Sequence, residues 1–241
     1  MKKLATLSLA LLAGFAINTH AASWSYEGET GPNNWAKLSP ENSTCAGSNQ
    51  SPINLTRFID AKLAPIQFDY SHDAQEIINN GHTIQVNMQA GSSINIDGIS
   101  FELKQFHFHA PSENLINGKS FPMELHLVHA DKDGNLAVIG VMMTEGKANP
   151  AIAQAWAKMP KTANEKIAIT SKLSAAALLP RNRDYYRFNG SLTTPPCTEG
   201  VRWLVMKRPI TVSKAQIEAF THVIHPNNRP IQAIKARPVL E

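Results

Sequence analysis

The stretch Phe101-Glu-Leu-Lys-Gln-Phe-His-Phe-His109 decides how this chain is read. Side chains of an extended strand point alternately to opposite faces, so His107 and His109 project from one face, about 6.6 Å apart along the chain. Gln105 shares their face, while Phe106 and Phe108 turn the other way, into a core. A second alternating run, Met123-Glu-Leu-His-Leu-Val-His129, puts Glu124 on the face of His126 and leaves His129 on the opposite one, where it is read as structural. If the two runs pair as neighbours, facing side chains lie about 4.5–5.5 Å apart. Three imidazoles then converge on one ion at about 2.1 Å each. Neutral nitrogen donors suit Zn2+, and three protein ligands leave a fourth position open. Gln105 and Glu124 stand where the outer ring nitrogens of the ligands need partners. Spacing alone leaves a plainer reading open, that of hydrogen-bonded strand histidines with no metal.

Outward from these two runs, further short apolar segments alternate at 83–88, 93–96, 136–143 and 201–207. Asn80-Gly81, Asp97-Gly98, Asn117-Gly118 and Asp133-Gly134 separate the segments, and each dipeptide can take the positive φ of a tight hairpin. Helices are short and peripheral. Asn149 caps one, with Pro150 in its first position and 151–158 following; Ser213 and Gln216 form a capping box ahead of 217–221. The expected fold is mainly β (α+β), a single domain around a large, mostly antiparallel twisted sheet. It lacks the regular strand-helix alternation of a doubly wound fold.

The N-terminus reads differently. Lys2 and Lys3 precede an apolar run from Leu4 to Ile17, and small residues follow to Ala21. That order is a secretory signal peptide over 1–21, with cleavage after Ala21 or Ala22; as a membrane anchor it falls short of the roughly 20 apolar residues needed. The domain proper is then 22–241, in the periplasm or secreted, with no membrane association after cleavage. Formal charge is +4, two units of which leave with Lys2 and Lys3. The remainder is dispersed, without a Lys/Arg block or aromatic-basic interleaving, so the chain does not read as a nucleic-acid binder. Cys45 and Cys197 are the two cysteines. In an oxidising compartment such a pair reads as one structural disulfide, worth up to about 4–5 kcal/mol by loop closure. Two unconnected buried thiols are the alternative.

Longer strings carry a resemblance. Gln105-Phe-His-Phe-His109, Ala110-Pro-Ser-Glu113, Glu124-Leu-His-Leu-Val-His129 and Gly190-Ser-Leu-Thr-Thr-Pro-Pro196 resemble the α-class carbonic anhydrases. So do Trp24-Ser-Tyr26, Gly31-Pro-Asn-Asn-Trp35, Asn49-Gln-Ser-Pro-Ile53, Asn79-Asn-Gly-His82, Val201-Arg-Trp203 and Asn228-Arg-Pro230, in family order. The resemblance implies a zinc enzyme for the reversible hydration of carbon dioxide to bicarbonate. His107, His109 and His126 would be the ligands, with Gln105 and Glu124 behind them. Thr193 matches the threonine that bonds the zinc hydroxide, Glu113 the carboxylate that takes this threonine's proton, and His82 the proton shuttle. Val128, Val138, Leu192, Thr194 and Trp203 match the substrate pocket. Cys45 and Cys197 match the disulfide of exported members, which would pin the loop carrying Thr193. Anion and sulfonamide inhibitors are expected on the same ground, and a homodimer is compatible with it. Asn114, where many animal members have histidine, Ala110, where they have tryptophan, and Thr83 beside His82 are departures that bear on local packing.

Two other functions fit parts of the pattern. A catalytically silent binding module of the same fold is usually marked by loss of a ligand histidine, and all three are present. A periplasmic zinc-binding protein needs no Thr193, Glu113 or His82.

Overall fold

The alternating runs fold as strands in a computed structural model that describes residues 23–241, and at Asp97-Gly98 and Asn117-Gly118 both residues take the positive φ, at Asn80-Gly81 and Asp133-Gly134 the glycine alone. The leader expected at 1–21 lies outside the described residues. The strands are β1 (Asn54–Leu55), β2 (Gln67–Asp69), β3 (Ala74–Asn79), β4 (Ile84–Met88), β5 (Ser93–Ile96), β6 (Ile99–His109) and β7 (Leu115–Ile116). After them come β8 (Met123–Ala130), β9 (Leu136–Glu145), β10 (Lys166–Ala168), β11 (Tyr185–Ser191), β12 (Glu199–Met206) and β13 (Ile210–Val212). Eleven of them form one sheet whose main path runs β10-β3-β4-β6-β8-β9-β12-β11. Most pairs are antiparallel, but β12 and β13 both lie parallel to β9, and β1 pairs in parallel with β7 in a separate two-stranded sheet. Asp97 and Gly98, both at positive φ, close the β5–β6 hairpin, in which Ile96 faces Ile99.

Among the described residues three α-helices lie outside the sheet: α1 (Trp35–Leu38), α2 (Pro150–Trp156) and α3 (Lys214–Val223). The Asn149 side chain accepts from the backbone N–H groups of Ala151 and Ile152, capping α2. Ser213 and Gln216 make the reciprocal capping box of α3. Phe108 of the sheet packs edge-on to Trp156, with ring centroids 4.8 Å apart, and against Phe220 of α3. Here the principal core forms, between one sheet face and the two helices. Among the described residues no helix is long and apolar enough to cross a membrane.

Within β6 the alternation is broken once. Unbroken alternation over 101–109 would set Phe101 and Leu103 on the histidine face. Instead Phe101, Leu103, Phe106 and Phe108 all lie in the principal core. The register between β6 and β8 shifts between Leu103 and Gln105, a bulge at Lys104 that changes the phase of the strand. The inner half of β6 thus buries its aromatics on the same side as the outer half and still turns Gln105, His107 and His109 toward the opposite side.

Candidate metal centre

β6 and β8 are neighbours, and His107 stands directly opposite His126 in their register. His109 faces Glu124 in the same ladder, so two strands deliver all three histidines to one spot. One side-chain nitrogen from each of His107, His109 and His126 lies within 4.8 Å of the others. The outer ring nitrogens of His107 and His109 have hydrogen-bond partners. His107 Nδ1 donates to Gln105 Oε1 at 2.8 Å, and His109 Nδ1 to the carbonyl of Asn227 at 2.7 Å. His126 Nε2 lies 3.0 Å from Glu124 Oε1, off the line of a hydrogen bond. That leaves Nε2 of His107, Nε2 of His109 and Nδ1 of His126 turned toward one another.

The donor set fits a metal ion. His109 Nε2 is buried and has no hydrogen-bond partner, a costly state for a polar atom unless something else binds it. Burial, and the proximity of the other rings, hold His107 and His126 well below the usual histidine range; burial lowers His109 as well. All three are therefore neutral near pH 7, the form that ligates metals.

The other expected residues surround this centre. Glu113 is buried, its Oε1 accepts from the N–H of Arg229 at 2.9 Å, and its Oε2 lies 3.4 Å from His109 Nε2. Burial pushes its carboxyl well above the usual range, and the Arg229 N–H and the Thr193 hydroxyl draw it back. Oε2 itself has no donor in hydrogen-bond geometry. Thr193 and Thr194 line a cavity of about 260 Å³ with His107, His126, Gln105, Val128, Val138, Leu192 and Trp203. Leu136, not anticipated from sequence, completes its wall. Trp203 is buried, its indole N–H donates to the Ser191 carbonyl at 2.9 Å, and its ring lies 4.8 Å from that of His126. Gly140, opposite His126 on β9, leaves room for this crowding: a Cβ there would stand 3.2 Å from Glu124 Oε1.

His82 sits apart from that cavity's lining. Its half-buried ring stacks on Trp24, with centroids 3.7 Å apart and planes at 9°, and lines a neighbouring cavity of about 550 Å³. Burial lowers its pKa from the ordinary histidine value. Thr83 is tied into the sheet, its hydroxyl donating to the Phe108 carbonyl at 2.5 Å. Cys45 and Cys197 are joined in a disulfide, and the Cys197 N–H donates to the Thr194 carbonyl at 2.8 Å, on the loop that carries Thr193. His129 is buried, with Nε2 accepting from the Tyr70 hydroxyl at 2.7 Å and Nδ1 facing the Ala137 carbonyl.

Asn227 escaped the sequence reading. Besides its carbonyl bond to His109, its side chain accepts from the Ala110 N–H and donates to the carbonyls of Phe108 and His82. A main-chain acceptor leaves no residue-type signature, so only the polar side chain could have drawn notice.

A profile of the family described as eukaryotic-type carbonic anhydrase matches residues 30–241. A carbonic anhydrase of Pectobacterium carotovorum is 47% identical over 97% of this chain and 98% of its own length. The α-carbonic anhydrase of Thermovibrio ammonificans, solved with the inhibitor sulfanilamide, superposes with a TM-score of 0.90 at 49% identity, covering 91% of this chain and 99% of that one. A hyperthermostable carbonic anhydrase from a hydrothermal vent chimney gives 0.89 at 53% identity, over 91% of this chain and 99% of that one. The matched span takes in the three histidines, their outer partners and the 260 Å³ cavity, and the chain belongs to the α-class, eukaryotic-type, carbonic anhydrase family.

Proposed function

We propose that this protein is a zinc-dependent carbonic anhydrase that interconverts carbon dioxide and bicarbonate. The observation that carries the reading is the convergence of His107, His109 and His126, with a buried, unpartnered nitrogen on His109. Zinc in this family is the standard illustration of a metal that lowers the pKa of bound water to about 7 and so supplies a nucleophile at neutral pH.

The chain's own residues do the rest. Gln105, the Asn227 carbonyl and Glu124 fix which nitrogen each ligand histidine presents. The Thr193 hydroxyl would donate its hydrogen bond to Glu113, so that its oxygen can only accept from the attacking group and turns that group's lone pair toward the substrate. Val128, Val138, Leu192 and Trp203 give carbon dioxide an apolar wall that excludes competing water, with Thr194 at its edge. His82 carries the released proton toward solvent through its imidazole. Residues 22–241 act as one catalytic domain behind a cleaved leader at 1–21, outside the cytoplasm, in keeping with the Cys45–Cys197 disulfide. Sulfonamides and small anions should inhibit at the same centre.

The test is zinc analysis of the single variants His107→Ala, His109→Ala and His126→Ala, with carbon dioxide hydration assayed on the same samples. Tight zinc binding and hydration should vanish together. A variant with stoichiometric zinc and full activity would remove that residue from the ligand set.

A further inference from the structure

We propose that Asn114 is a positioning residue of the metal centre, its side-chain amide holding Glu124 in the orientation that supports His126. The inference rests on the zinc reading above. Asn114 and Glu124 are both fully buried. Each oxygen of Glu124 is fixed separately. Oε2 accepts from the backbone N–H groups of Glu113 and Asn114 at 2.9 and 2.8 Å. Oε1 accepts from Asn114 Nδ2 at 2.8 Å and is the oxygen that faces His126 Nε2 at 3.0 Å.

The direction of the Asn114 amide is not free. Its Oδ1 accepts from the Ile53 N–H at 3.0 Å, and Ile53 is itself anchored because its carbonyl accepts from the N–H of Leu115, beside the parallel β1–β7 ladder. With Oδ1 committed to Ile53, the amino group must point at the carboxylate. A contact chain thus runs from Ile53 through Asn114 and Glu124 to His126. Of the three N–H groups that grip Glu124, two are main-chain and exist whatever residue stands there. The Asn114 amide is the one the sequence controls, and it touches the oxygen that meets the ligand histidine. Only a side chain that donates toward Glu124 and accepts from Ile53 satisfies both buried neighbours, so asparagine at this position is a functional choice and not simply a filler of space.

The experiment compares native protein with Asn114→Leu, of similar shape but with no donor, and Asn114→Ser, which keeps a small polar group that cannot span both partners. Phe220→Leu, in the core on the far side of the sheet, serves as a control for general destabilisation. Zinc release into excess chelator and the visible absorption of the cobalt-substituted protein are recorded for each. Both Asn114 variants should release zinc about tenfold or more faster than native protein, with an altered cobalt spectrum, while Phe220→Leu keeps both native properties. Either Asn114 variant, folded with its disulfide formed, releasing zinc at the native rate with a native cobalt spectrum would overturn the proposal. Should the native protein take up no zinc, the metal reading itself falls and this inference falls with it; native uptake combined with unaltered variants removes only the role of Asn114.

Discussion

His107 and His126 are directly opposed residues on adjacent antiparallel strands, with ring centroids 5.3 Å apart and planes at right angles. Perpendicular rings at that spacing cannot stack. Their edges approach a common point instead, which His109 reaches from two residues along the same strand, its ring 5.1 Å from that of His107. The centre thus follows from strand register. It is rigid to the extent that the β6–β8 ladder is rigid.

Thr193 is expected to govern rate and not metal retention. Thr193→Ala should keep stoichiometric zinc and lose about 10- to 100-fold in hydration, the value of one hydrogen bond to a charged group, about 1.5–3 kcal/mol. Glu113→Gln should slow turnover as well, because the amide can donate its N–H to the threonine oxygen and so reverse the direction of that hydrogen bond. Steady-state hydration with zinc analysis checks this; unchanged rates in both variants would leave the pairing without support.

Reduction of the Cys45–Cys197 bond should lower thermal stability by about 2–5 kcal/mol. Cys197 also anchors the loop of Thr193 and Thr194 through its N–H, so turnover should decline more than zinc content. Calorimetry with and without reductant measures the first effect, and metal analysis of the reduced, still folded protein measures the second.

His82 lies stacked on Trp24 rather than free in the cleft, and burial lowers its pKa. His82→Ala should slow turnover in weak buffer while leaving the exchange between carbon dioxide and bicarbonate nearly intact, and added imidazole should restore much of the loss. Trp24→Ala frees the ring and should bring the histidine's pKa back up toward its ordinary value, visible by proton NMR. Unchanged turnover of His82→Ala in weak buffer would show that another route carries the proton.

His129 makes a separate prediction about acid. Burial lowers its pKa from 6.5 to about 4, and its two ring nitrogens face Tyr70 and the Ala137 carbonyl. Above pH 6.5 the residue is neutral in both folded and unfolded chains and adds no pH dependence. As the pH falls from 6.5 toward 4 the unfolded chain gains a proton that the folded chain refuses, so stability is lost, by up to about 3 kcal/mol from this group. Denaturant unfolding across that window should show a shallower decline in His129→Gln than in native protein. Parallel declines would mean that other groups set the acid limit.

What the sequence made legible is what strand periodicity can carry: the shared face of His107 and His109, the outer partners Gln105 and Glu124, and the isolation of His129. The capping residues of α2 and α3 were legible because they act within one turn of chain. The bulge at Lys104 was not, since no glycine or proline marks it and its cause is the fit of Phe101 and Leu103 to a core assembled from distant segments. Nor was the insertion of β12 beside β9 in parallel, which depends on a long crossover and not on local pattern. Asn227 and the purpose of Asn114 stayed hidden because their partners, His109 and Ile53, lie 118 and 61 residues away.

His107, His109 and His126 are proposed to hold a zinc ion that this chain uses to hydrate carbon dioxide. Stopped-flow hydration of the purified native protein, measured before chelation, after removal of the metal and again after one equivalent of zinc is returned, tests this most directly. Rapid hydration, its loss on chelation and its recovery with stoichiometric zinc are expected. Hydration that persists in metal-free protein, or a zinc-loaded protein with none, would contradict that role of zinc.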